Sequence, residues 1–277
     1  MRAEVEQGAA SEAVPPDGAR TLGTVACVLT GASRGFGRSL ALALCRRVRG
    51  TGSCFLLLAR SREGLAGVAG ELRAACPGLE VRCEAVDLGT EEGLQRAQRA
   101  TGELPQGQER LLLIHNAGSV GDISKYFVDH ANLTELNSYF AFNVVSPMCL
   151  TAAVLRAFVK RAGLRRVVVN ITSVCALEPC KSLALYCTGK AARGMMFQVL
   201  AVEEPDVRVL NYSPGPLDTD MFQLVCTDSV DPEIRCEFQD MQRNGEVSDC
   251  NVPAEDLVNR LLEDTFQSGS HVAFRDP

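Results

Sequence analysis

The sequence predicts an α/β fold in one domain, built on a doubly wound parallel sheet of about seven strands with helices on both faces. Seven short apolar runs alternate with about six longer segments of helical character. This alternation is typical of a parallel sheet whose strands are joined by right-handed helical crossovers. The predicted strands are VACVLT, CFLLLA, VRCEAVD, RLLLIHNAG, RVVVNITS, VRVLNYSPG and the terminal HVAF.

Length and composition favour a single compact domain. With 277 residues, of which 46% are hydrophobic, the chain can bury a large core. Residues 1–20 are rich in Ala, Glu, Pro and Gly without periodicity, so we predict a mobile extension there and the domain over 21–277. Residues 221–251 combine mixed charge with weak periodicity, which favours a lid over the substrate.

Charge and cysteine content exclude several classes of protein. A net charge of −6 argues against the positively charged surface that binds nucleic acid. No apolar run reaches the ~18 residues of a membrane span, so no membrane partner is expected. The twelve cysteines form no C-x-x-C pair, and Cys27, Cys54 and Cys83 lie in apolar runs that suit buried free thiols. These features predict a cytoplasmic protein, and three widely separated histidines argue against a metal site.

The first predicted strand leads directly into a glycine-rich turn, GASRGFG, and then into a helix. Gly31 would permit the tight turn, while Gly35 and Gly37 would let a pyrophosphate and the helix approach the backbone closely. Free N–H groups and the helix dipole would then face the anion. The context predicts a Rossmann-type dinucleotide site, although the glycines alone are also compatible with a plain turn. The predicted cofactor contacts here are Gly31, Ser33, Arg34, Gly35, Phe36 and Gly37.

The end of the second strand indicates which dinucleotide is bound. Arg60 stands where an NAD site would place an acidic residue for the ribose hydroxyls. Arg60 and the adjacent Ser61 would instead receive a 2′-phosphate, and the guanidinium of Arg34 can reach the same group. We therefore predict NADPH/NADP+ as the cofactor, with a solvated surface charge as the alternative role of each arginine.

Ser173, Tyr186 and Lys190 have a spacing that suits proton transfer. If Tyr186 opens a helix, Lys190 lies one turn further on the same face. A phenol has a pKa near ~10, and lowering it to about 7 needs roughly 4 kcal/mol, which one cation at about 4 Å can supply at an effective dielectric near 20. Ser173, at a strand end, would orient a carbonyl oxygen toward the phenol. Taken alone, the pair is equally compatible with an ordinary surface contact.

The remaining candidate residues fall at the ends of predicted strands. In a doubly wound sheet the ligand binds at the carboxyl ends of the strands. Asp87, at the end of the third strand, is placed to meet an adenine edge. The other strand-end candidates are Asn116 and Gly118 on the fourth strand, Ser173 on the fifth, and Pro214 and Gly215 on the sixth.

Taken in chain order, these motifs resemble the short-chain dehydrogenase/reductase family over about residues 25–274. The resemblance implies hydride transfer from a nicotinamide to a carbonyl, with Tyr186 donating the proton and Lys190 also holding the nicotinamide ribose. Asn143 matches the asparagine that completes the family's proton relay through water. Further implied cofactor contacts are Leu88, Lys190, Pro214, Leu217, Thr219, Asp220 and Met221, and implied substrate contacts are Ser173, Val174, Tyr186 and Gly215.

Within the family, stretches such as ALYCTGKAAR, RVLNYSPGPLDTDM and SGSHVAF are similar to a branch that reduces pterin side-chain carbonyls in tetrahydrobiopterin biosynthesis. The resemblance implies an NADPH-dependent homodimer. Apolar stripes near residues 139–158 and 191–202 fit a dimer interface, and they fit core packing equally well.

Three positions depart from the pattern of that branch. Ala273 replaces an aspartate that anchors the pterin, Leu183 replaces an aromatic residue, and His115 replaces an asparagine. A lost charge-assisted hydrogen bond costs roughly 1.5 to 3 kcal/mol, so a broader carbonyl or dicarbonyl reductase is an alternative. Asp276 is a candidate to replace the missing carboxylate.

Two further classes of protein fit the sequence less well than a reductase of this kind. A non-catalytic NADPH-binding sensor would typically lack the tyrosine or the lysine, and both are present. An epimerase or dehydratase of the extended branch would need a larger C-terminal domain than the roughly 60 residues after Pro216 allow.

Overall fold

The computed structural model describes residues 20–275 of the chain. The strands are β1 Val25–Thr30, β2 Cys54–Ala59, β3 Glu80–Ala85, β4 Arg110–His115, β5 Arg165–Ile171, β6 Val207–Ser213 and β7 His271–Ala273. All seven pair in parallel in one sheet, in the order β3-β2-β1-β4-β5-β6-β7. The predicted Rossmann-type sheet is therefore confirmed. Residues 1–19, where the mobile extension was predicted, and Asp276 lie outside the described residues.

More helices connect these strands than the sequence suggested. The α-helices of the described residues are α1 Gly35–Cys45, α2 Arg62–Ala75, α3 Glu91–Gly102, α4 Leu133–Phe140, α5 Ser146–Ala157, α6 Ala184–Glu203, α7 Asp220–Asp228, α8 Pro232–Arg243 and α9 Asn251–Glu263. A π-helical turn at Ala141–Val145 joins α4 and α5 into one continuous helix. The two helices that we did not predict, α7 and α8, make up most of the segment predicted as a lid. They were not predicted because the mixed charge of this segment obscures its helical period.

The strands alternate their side chains between two apolar layers, and helices cover both. Cys27 and Leu29 of β1 face the layer that contains α1, α2 and α9, while Ala26 and Val28 face α3, α5 and α6. All six residues of β1 are buried, as expected for a central parallel strand. Cys83, expected among the buried thiols, is exposed because β3 is the edge strand and has only β2 beside it.

The α7–α8 pair packs on the body of the domain through a small apolar cluster. The hydroxyl groups of Ser182 and Ser229, both buried, lie 2.7 Å apart and add a hydrogen bond between the pair and the body. The buried members of the cluster are Val225 and Ile234 from the pair, and Val120, Ile123 and Leu183 from the body.

One helix in the described part of the chain, Leu133–Ala157, is long and apolar enough by composition to cross a membrane, contrary to our reading of the sequence. Its Leu150 and Val154 are buried against the sheet, and 39% of its most apolar window is buried. Core helices of globular domains pass the same test of composition, so this helix is weak evidence for a membrane segment.

Candidate active site

The glycine turn between β1 and α1 has the geometry of an anion site. Gly31 and Gly35 have φ angles of +67° and +52°, which favour glycine over residues with a side chain. A Cβ atom at Gly37 would lie 2.1 Å from the carbonyl oxygen of Gly31, so no side chain fits there. No side chain caps α1, and its first turn has no acidic residue. Its terminal N–H groups are therefore available to a pyrophosphate.

Asn116, predicted as a cofactor contact, helps to build this turn. Its side-chain amide donates to the carbonyl oxygens of Thr30 at 3.1 Å and Gly31 at 3.0 Å. The hydroxyl of Thr30 in turn accepts hydrogen bonds from the backbone N–H groups of Asn116 and Ala117, both at 3.0 Å. These bonds fix the ends of β1 and β4 against each other, at the point where the strand order reverses. Ligands of doubly wound sheets bind at such a point.

The arginines predicted to hold a 2′-phosphate differ in their surroundings. Arg60 follows the end of β2 and is exposed. Arg34 forms an ion pair with Asp220 at the start of α7, and both side chains are largely exposed. Ser61 accepts a hydrogen bond from the N–H of Gly64 at 3.0 Å and caps α2. A phosphate contact by Arg34 would therefore compete with its pairing to Asp220.

Two predicted cofactor contacts have buried side chains and can offer only backbone groups to a ligand. Leu88 and Phe36 both pack in the core. Asp87 lies two residues beyond the end of β3, is exposed, and accepts a hydrogen bond from the N–H of Gly89 at 2.9 Å. The carboxylate of Asp87 therefore shapes the turn next to the expected adenine position.

The predicted catalytic side chains converge where β5 meets α6. Ser173 follows β5, and Tyr186 is the third residue of α6, with Lys190 one turn further. The ammonium of Lys190 lies 5.4 Å from the centre of the Tyr186 ring and donates to the carbonyl oxygen of Ile171 at 2.7 Å. The hydroxyl of Ser173 is hydrogen-bonded to the Tyr186 phenol.

The protonation state of Tyr186 differs from the sequence-based prediction. Burial, and secondarily the thiol of Cys175, raise the pKa of Tyr186 to about 12, although Ser173 and Arg193 act in the opposite direction. Burial, followed by the nearby Arg193, holds the pKa of Lys190 well below its usual value. The prediction that Lys190 lowers the phenol pKa to near 7 is wrong for this structure, because desolvation of the phenol outweighs the effects of Ser173 and Arg193, and burial disfavours the charged form of Lys190 as well.

Asn143 joins this group from the π-helical turn. Its carbonyl oxygen accepts a hydrogen bond from the N–H of Ser119 at 2.9 Å, and its amide donates to the carbonyl of Tyr139 at 3.0 Å. A Cβ atom placed on Gly118 would lie 3.6 Å from the Asn143 oxygen and 3.9 Å from the Lys190 nitrogen. The two predicted relay groups therefore both border the backbone of Gly118. π-Helical turns are frequent at functional sites.

Arg193 is a residue of the site that we did not predict from the sequence. It is 1% exposed, and its guanidinium donates to the carbonyl oxygens of His115 at 2.7 Å and Ala117 at 3.0 Å, and to the side chain of Asn170 at 2.8 Å. Burial lowers the pKa of Arg193 to about 10, so it remains a cation at neutral pH. Its spacing of i+7 from Tyr186, on the same helix face, was the signal available in the sequence.

The segment after β6 contacts the glycine turn. Thr219 caps α7, and its methyl group would lie 3.4 Å from a Cβ on Gly35. Gly215 has a φ of +76°, and Leu217 forms an isolated bridge with Ser248. The other residues predicted in this segment are Pro214, which follows β6 directly, Asp220, which pairs with Arg34, and Met221, which packs against the apolar cluster under the lid.

The predicted substrate residues and the three departures occupy different environments. Val174 is 51% exposed beside Ser173, whereas Leu183 is buried beneath the α7–α8 pair. Ala273 pairs with Ser213 at the carboxyl end of β6, and it is half-buried. His115 is buried, and its Nε2 lies 2.8 Å from the hydroxyl of Thr151. Burial holds the pKa of His115 well below its usual value, so it is neutral.

Comparisons with known proteins agree with this geometry. The chain matches the short chain dehydrogenase family over residues 25–229. It is 54% identical to sepiapterin reductase of Xenopus tropicalis over 256 residues, which cover 92% of this chain and 98% of that enzyme. It is 52% identical to sepiapterin reductase of Rattus norvegicus over 257 residues, with the same coverage of 92% and 98%.

Among solved structures, that of the KRED1-Pglu enzyme superposes with a TM-score of 0.75 at 25% identity, covering 90% of this chain and 100% of that one. The family match spans the glycine turn, the predicted catalytic residues and helix α7. Its members are oxidoreductases that act on small molecules with a nicotinamide cofactor. This chain belongs to the short-chain dehydrogenase/reductase family.

Proposed function

We propose that the protein is an NADPH-dependent reductase of a pterin side-chain carbonyl, with sepiapterin as substrate, and that it serves tetrahydrobiopterin biosynthesis. The observation that carries this proposal is the convergence of Ser173, Tyr186 and Lys190 in a chain 54% identical to the sepiapterin reductase of Xenopus tropicalis. A carbonyl needs a hydride on carbon and a proton on oxygen, and these side chains are suited to deliver the proton.

The chain's own residues fit a dinucleotide. The absence of a side chain at Gly37 and the uncapped start of α1 leave backbone N–H groups for a pyrophosphate. Lys190 is the residue that would hold the nicotinamide ribose, since its side-chain nitrogen lies next to Gly118, which follows β4 at the carboxyl end of the sheet. The nicotinamide, when bound, supplies the hydride.

Tyr186 acts as the general acid. Its pKa is raised to about 12, so the phenol is fully protonated at neutral pH and has a proton to give. Ser173, hydrogen-bonded to the same phenol, orients the carbonyl oxygen toward it. As the carbonyl is reduced, negative charge develops on its oxygen, and the Tyr186 proton moves to that oxygen. Reduction needs a protonated donor, and the raised pKa keeps Tyr186 in that form.

The phenolate that remains needs compensation. Arg193 lowers the pKa of Tyr186 and therefore stabilises its ionised form, and the Lys190 ammonium lies 5.4 Å from the ring centre. Asn143, like Lys190, lies next to Gly118, and it would hold the water that returns a proton from solvent. Proton return through this route restores Tyr186 for the next turnover.

The choice of NADPH over NADH rests on two exposed arginines. Arg60 stands beyond the end of β2, and Arg34 lies in the glycine turn. A 2′-phosphate would replace the carboxylate of Asp220 as the partner of Arg34, and guanidinium groups bind phosphate in a bidentate manner. Arg60→Asp should therefore erase or reverse the preference for NADPH. Equal affinity of the parent protein for the two cofactors would contradict this assignment.

Recognition of the pterin must tolerate Ala273. The residue pairs with Ser213 at the carboxyl end of β6, and we expect a carboxylate at this position to bind the pterin. Ala273→Asp should lower the Michaelis constant for sepiapterin by about tenfold or more, since a charged hydrogen bond is worth roughly 1.5 to 3 kcal/mol. A simple vicinal diketone has no guanidine-like edge, so its kinetics provide the control and should not change. No change for sepiapterin would mean that another group holds the pterin.

The assembly and location are part of the same proposal. The outer faces of α5 and α6 expose Met148, Met195, Val199 and Val202, at 54%, 59%, 44% and 81%. Covering these side chains would suit a homodimer with α5 and α6 at the interface. All twelve cysteines are free, which suits the reducing cytoplasm. We also propose residues 21–277 as one domain, with 221–251 as its substrate lid.

The experiment that tests the function is a steady-state comparison of sepiapterin with vicinal diketones, each with NADPH and with NADH. We expect the highest kcat/KM for sepiapterin with NADPH, and loss of turnover in Tyr186→Phe for every pair. A higher kcat/KM for the diketones would refute a pterin substrate and favour a broader dicarbonyl reductase. Cofactor binding without turnover of any carbonyl would refute the catalytic proposal itself.

A further inference from the structure

Three cysteines lie together beside the proposed proton donor, and the proposed reaction uses none of them. Cys175 is part of the 3-10 turn Val174–Ala176, which follows Ser173 directly. Cys180 lies in the loop before α6, and Cys187 lies in the first turn of α6. All three side chains pack, together with Tyr186, against the apolar cluster between the α7–α8 pair and the body, and the thiol of Cys175 interacts with the thiols of both others. These three side chains are called the thiol cluster below.

The cluster has one thiol that is ready to react. Hydrogen bonds from Cys180 and Cys187 lower the pKa of Cys175, and Ser173 and the ammonium of Lys190 act in the same direction. The hydrogen bond to Cys175 and burial raise the pKa of Cys180 and of Cys187. A thiolate is the nucleophilic form of cysteine, so Cys175 is the attacking sulfur of the cluster. All three cysteines are only half-buried, which leaves them within reach of a small oxidant.

We propose that the thiol cluster is a site of oxidative modification, in which hydrogen peroxide joins Cys175 and Cys180 in an intrachain disulfide that slows turnover. Cys180 is the better partner because it lies in a loop that can adjust to disulfide geometry. Cys187 is held by the helix, with its N–H bonded to the carbonyl of Leu183 at 2.8 Å. The described residues contain no group of three ligands placed to hold a metal ion, so metal binding is not the favoured use of the cluster.

The chemistry balances with peroxide as the only added reactant. The Cys175 thiolate attacks one peroxide oxygen, the O–O bond breaks, and a sulfenic acid and hydroxide form. This hydroxide takes up the proton that the Cys175 thiol released on ionisation and becomes the first water. The sulfur of Cys180 then attacks the sulfenic sulfur, an S–S bond forms, and the S–OH bond breaks. The leaving hydroxide takes the proton of the Cys180 thiol and becomes water. Two thiols are oxidised by two electrons in total, and one peroxide is reduced to two waters.

The disulfide would disturb the catalytic serine. The backbone N–H of Cys175 donates to the hydroxyl of Ser173 at 3.2 Å, so the position of one depends on the other. Closing an S–S bond of about 2 Å requires the two sulfurs to move together from hydrogen-bonding separation, and the 3-10 turn must follow. A misplacement of ~1 Å near the reacting atoms can lower a rate by up to about 100-fold. The disulfide itself does not depend on the proposed function, whereas the loss of rate rests on the proposed role of Ser173.

Tryptic digestion of the full-length protein after graded peroxide treatment identifies the linkage. Cys175 and Cys180 lie in one tryptic peptide, residues 167–181, whereas Cys187 lies in the next, residues 182–190. The proposed disulfide therefore removes the mass of two hydrogen atoms from the first peptide without joining it to the second. The companion measurement is kcat on whichever carbonyl the parent reduces, before and after dithiothreitol.

We expect the mass change and a fall in kcat of about tenfold to develop together, and dithiothreitol to reverse both. Cys180→Ser should prevent the mass change and keep most of the rate. Cys236→Ser, which removes an exposed thiol outside the cluster, should behave as the parent does. A link between the two tryptic peptides, or peroxide inactivation without any disulfide, would overturn the proposal. A disulfide that forms without loss of rate would refute the proposed effect on turnover. A parent protein that reduces no carbonyl would refute the proposed function, and the mass change would still test the disulfide.

Discussion

Replacing Arg193 with methionine tests whether a buried cation holds the active site together. The substitution keeps an unbranched apolar side chain and removes the guanidinium that donates to His115, Ala117 and Asn170. Two buried acceptors and one partly buried acceptor then lose their donor, at roughly 1 to 3 kcal/mol for each buried one left unsatisfied. The losses are not additive, and removing one side of a buried charged interaction typically costs about 3 to 5 kcal/mol.

That range converts into a measurable change in thermal stability. With an unfolding entropy of roughly 2.1 cal/mol/K per residue, a chain of this length should lose about 5 to 9 °C in Tm. Circular dichroism during heating gives the value. Arg156→Met is the matched control, because Arg156 is an exposed arginine on α5, and it should change the unfolding free energy by less than about 0.5 kcal/mol. A Tm for Arg193→Met within a degree of the parent would refute the reasoning.

Three further predictions address the phenol and the glycine turn. Tyr186→Phe should lower kcat by ~10² or more with little change in NADPH affinity, whereas Lys190→Ala should reduce both in the same steady-state and binding assays. Gly37→Ala places a Cβ 2.1 Å from the Gly31 carbonyl oxygen, so NADPH affinity by fluorescence titration should fall about tenfold or more, and unchanged affinity would contradict the model of the turn. Because the folded-state pKa of Tyr186 is raised from 10.0 to about 12, the protonated phenol stabilises the fold fully below pH 10, and this contribution is lost as the pH rises to 12. Urea unfolding should show a larger loss of stability over that window for the parent than for Tyr186→Phe, and equal losses would show that the phenol is not shifted.

The strands and the glycine turn were predictable because their determinants are local. A short apolar run such as VACVLT, followed directly by a glycine turn, is typical of a strand buried on both faces. Gly31 and Gly35 mark positive φ angles, and Gly37 marks a close approach of the backbone. The helices of the α7–α8 segment were harder to predict from the sequence. The hydrophobic residues of α7 and α8 that face the body, among them Val225 and Ile234, are few, and charged residues surround them. Their helical period was therefore weak in the sequence.

The electrostatics of the site could not be predicted from spacing. The i+4 relation of Tyr186 and Lys190 indicated proximity, and proximity alone predicted a lowered phenol pKa. Burial decides the sign, and burial comes from tertiary packing, including that of the helix that carries Tyr139 and Asn143. Arg193 was not predicted for the same reason. An arginine in a helix is usually exposed, and only the fold shows the three acceptors around this one.

The three residues on one face of α6 together suggest why a strongly shifted phenol can still serve as an acid. Burial keeps Tyr186 protonated, which makes it a poor acid by pKa alone. Lys190 and Arg193, at i+4 and i+7, lie on the same side of the helix and are both buried. Burial lowers the pKa of both side chains, but that of Arg193 stays at about 10, so Arg193 is a cation at neutral pH and water does not screen its charge. The charge that forms on the phenol during proton transfer is therefore met by a fixed guanidinium at the moment it appears. Desolvation raises the pKa of the resting acid, and the preorganised cation lowers the free energy of the ionised product.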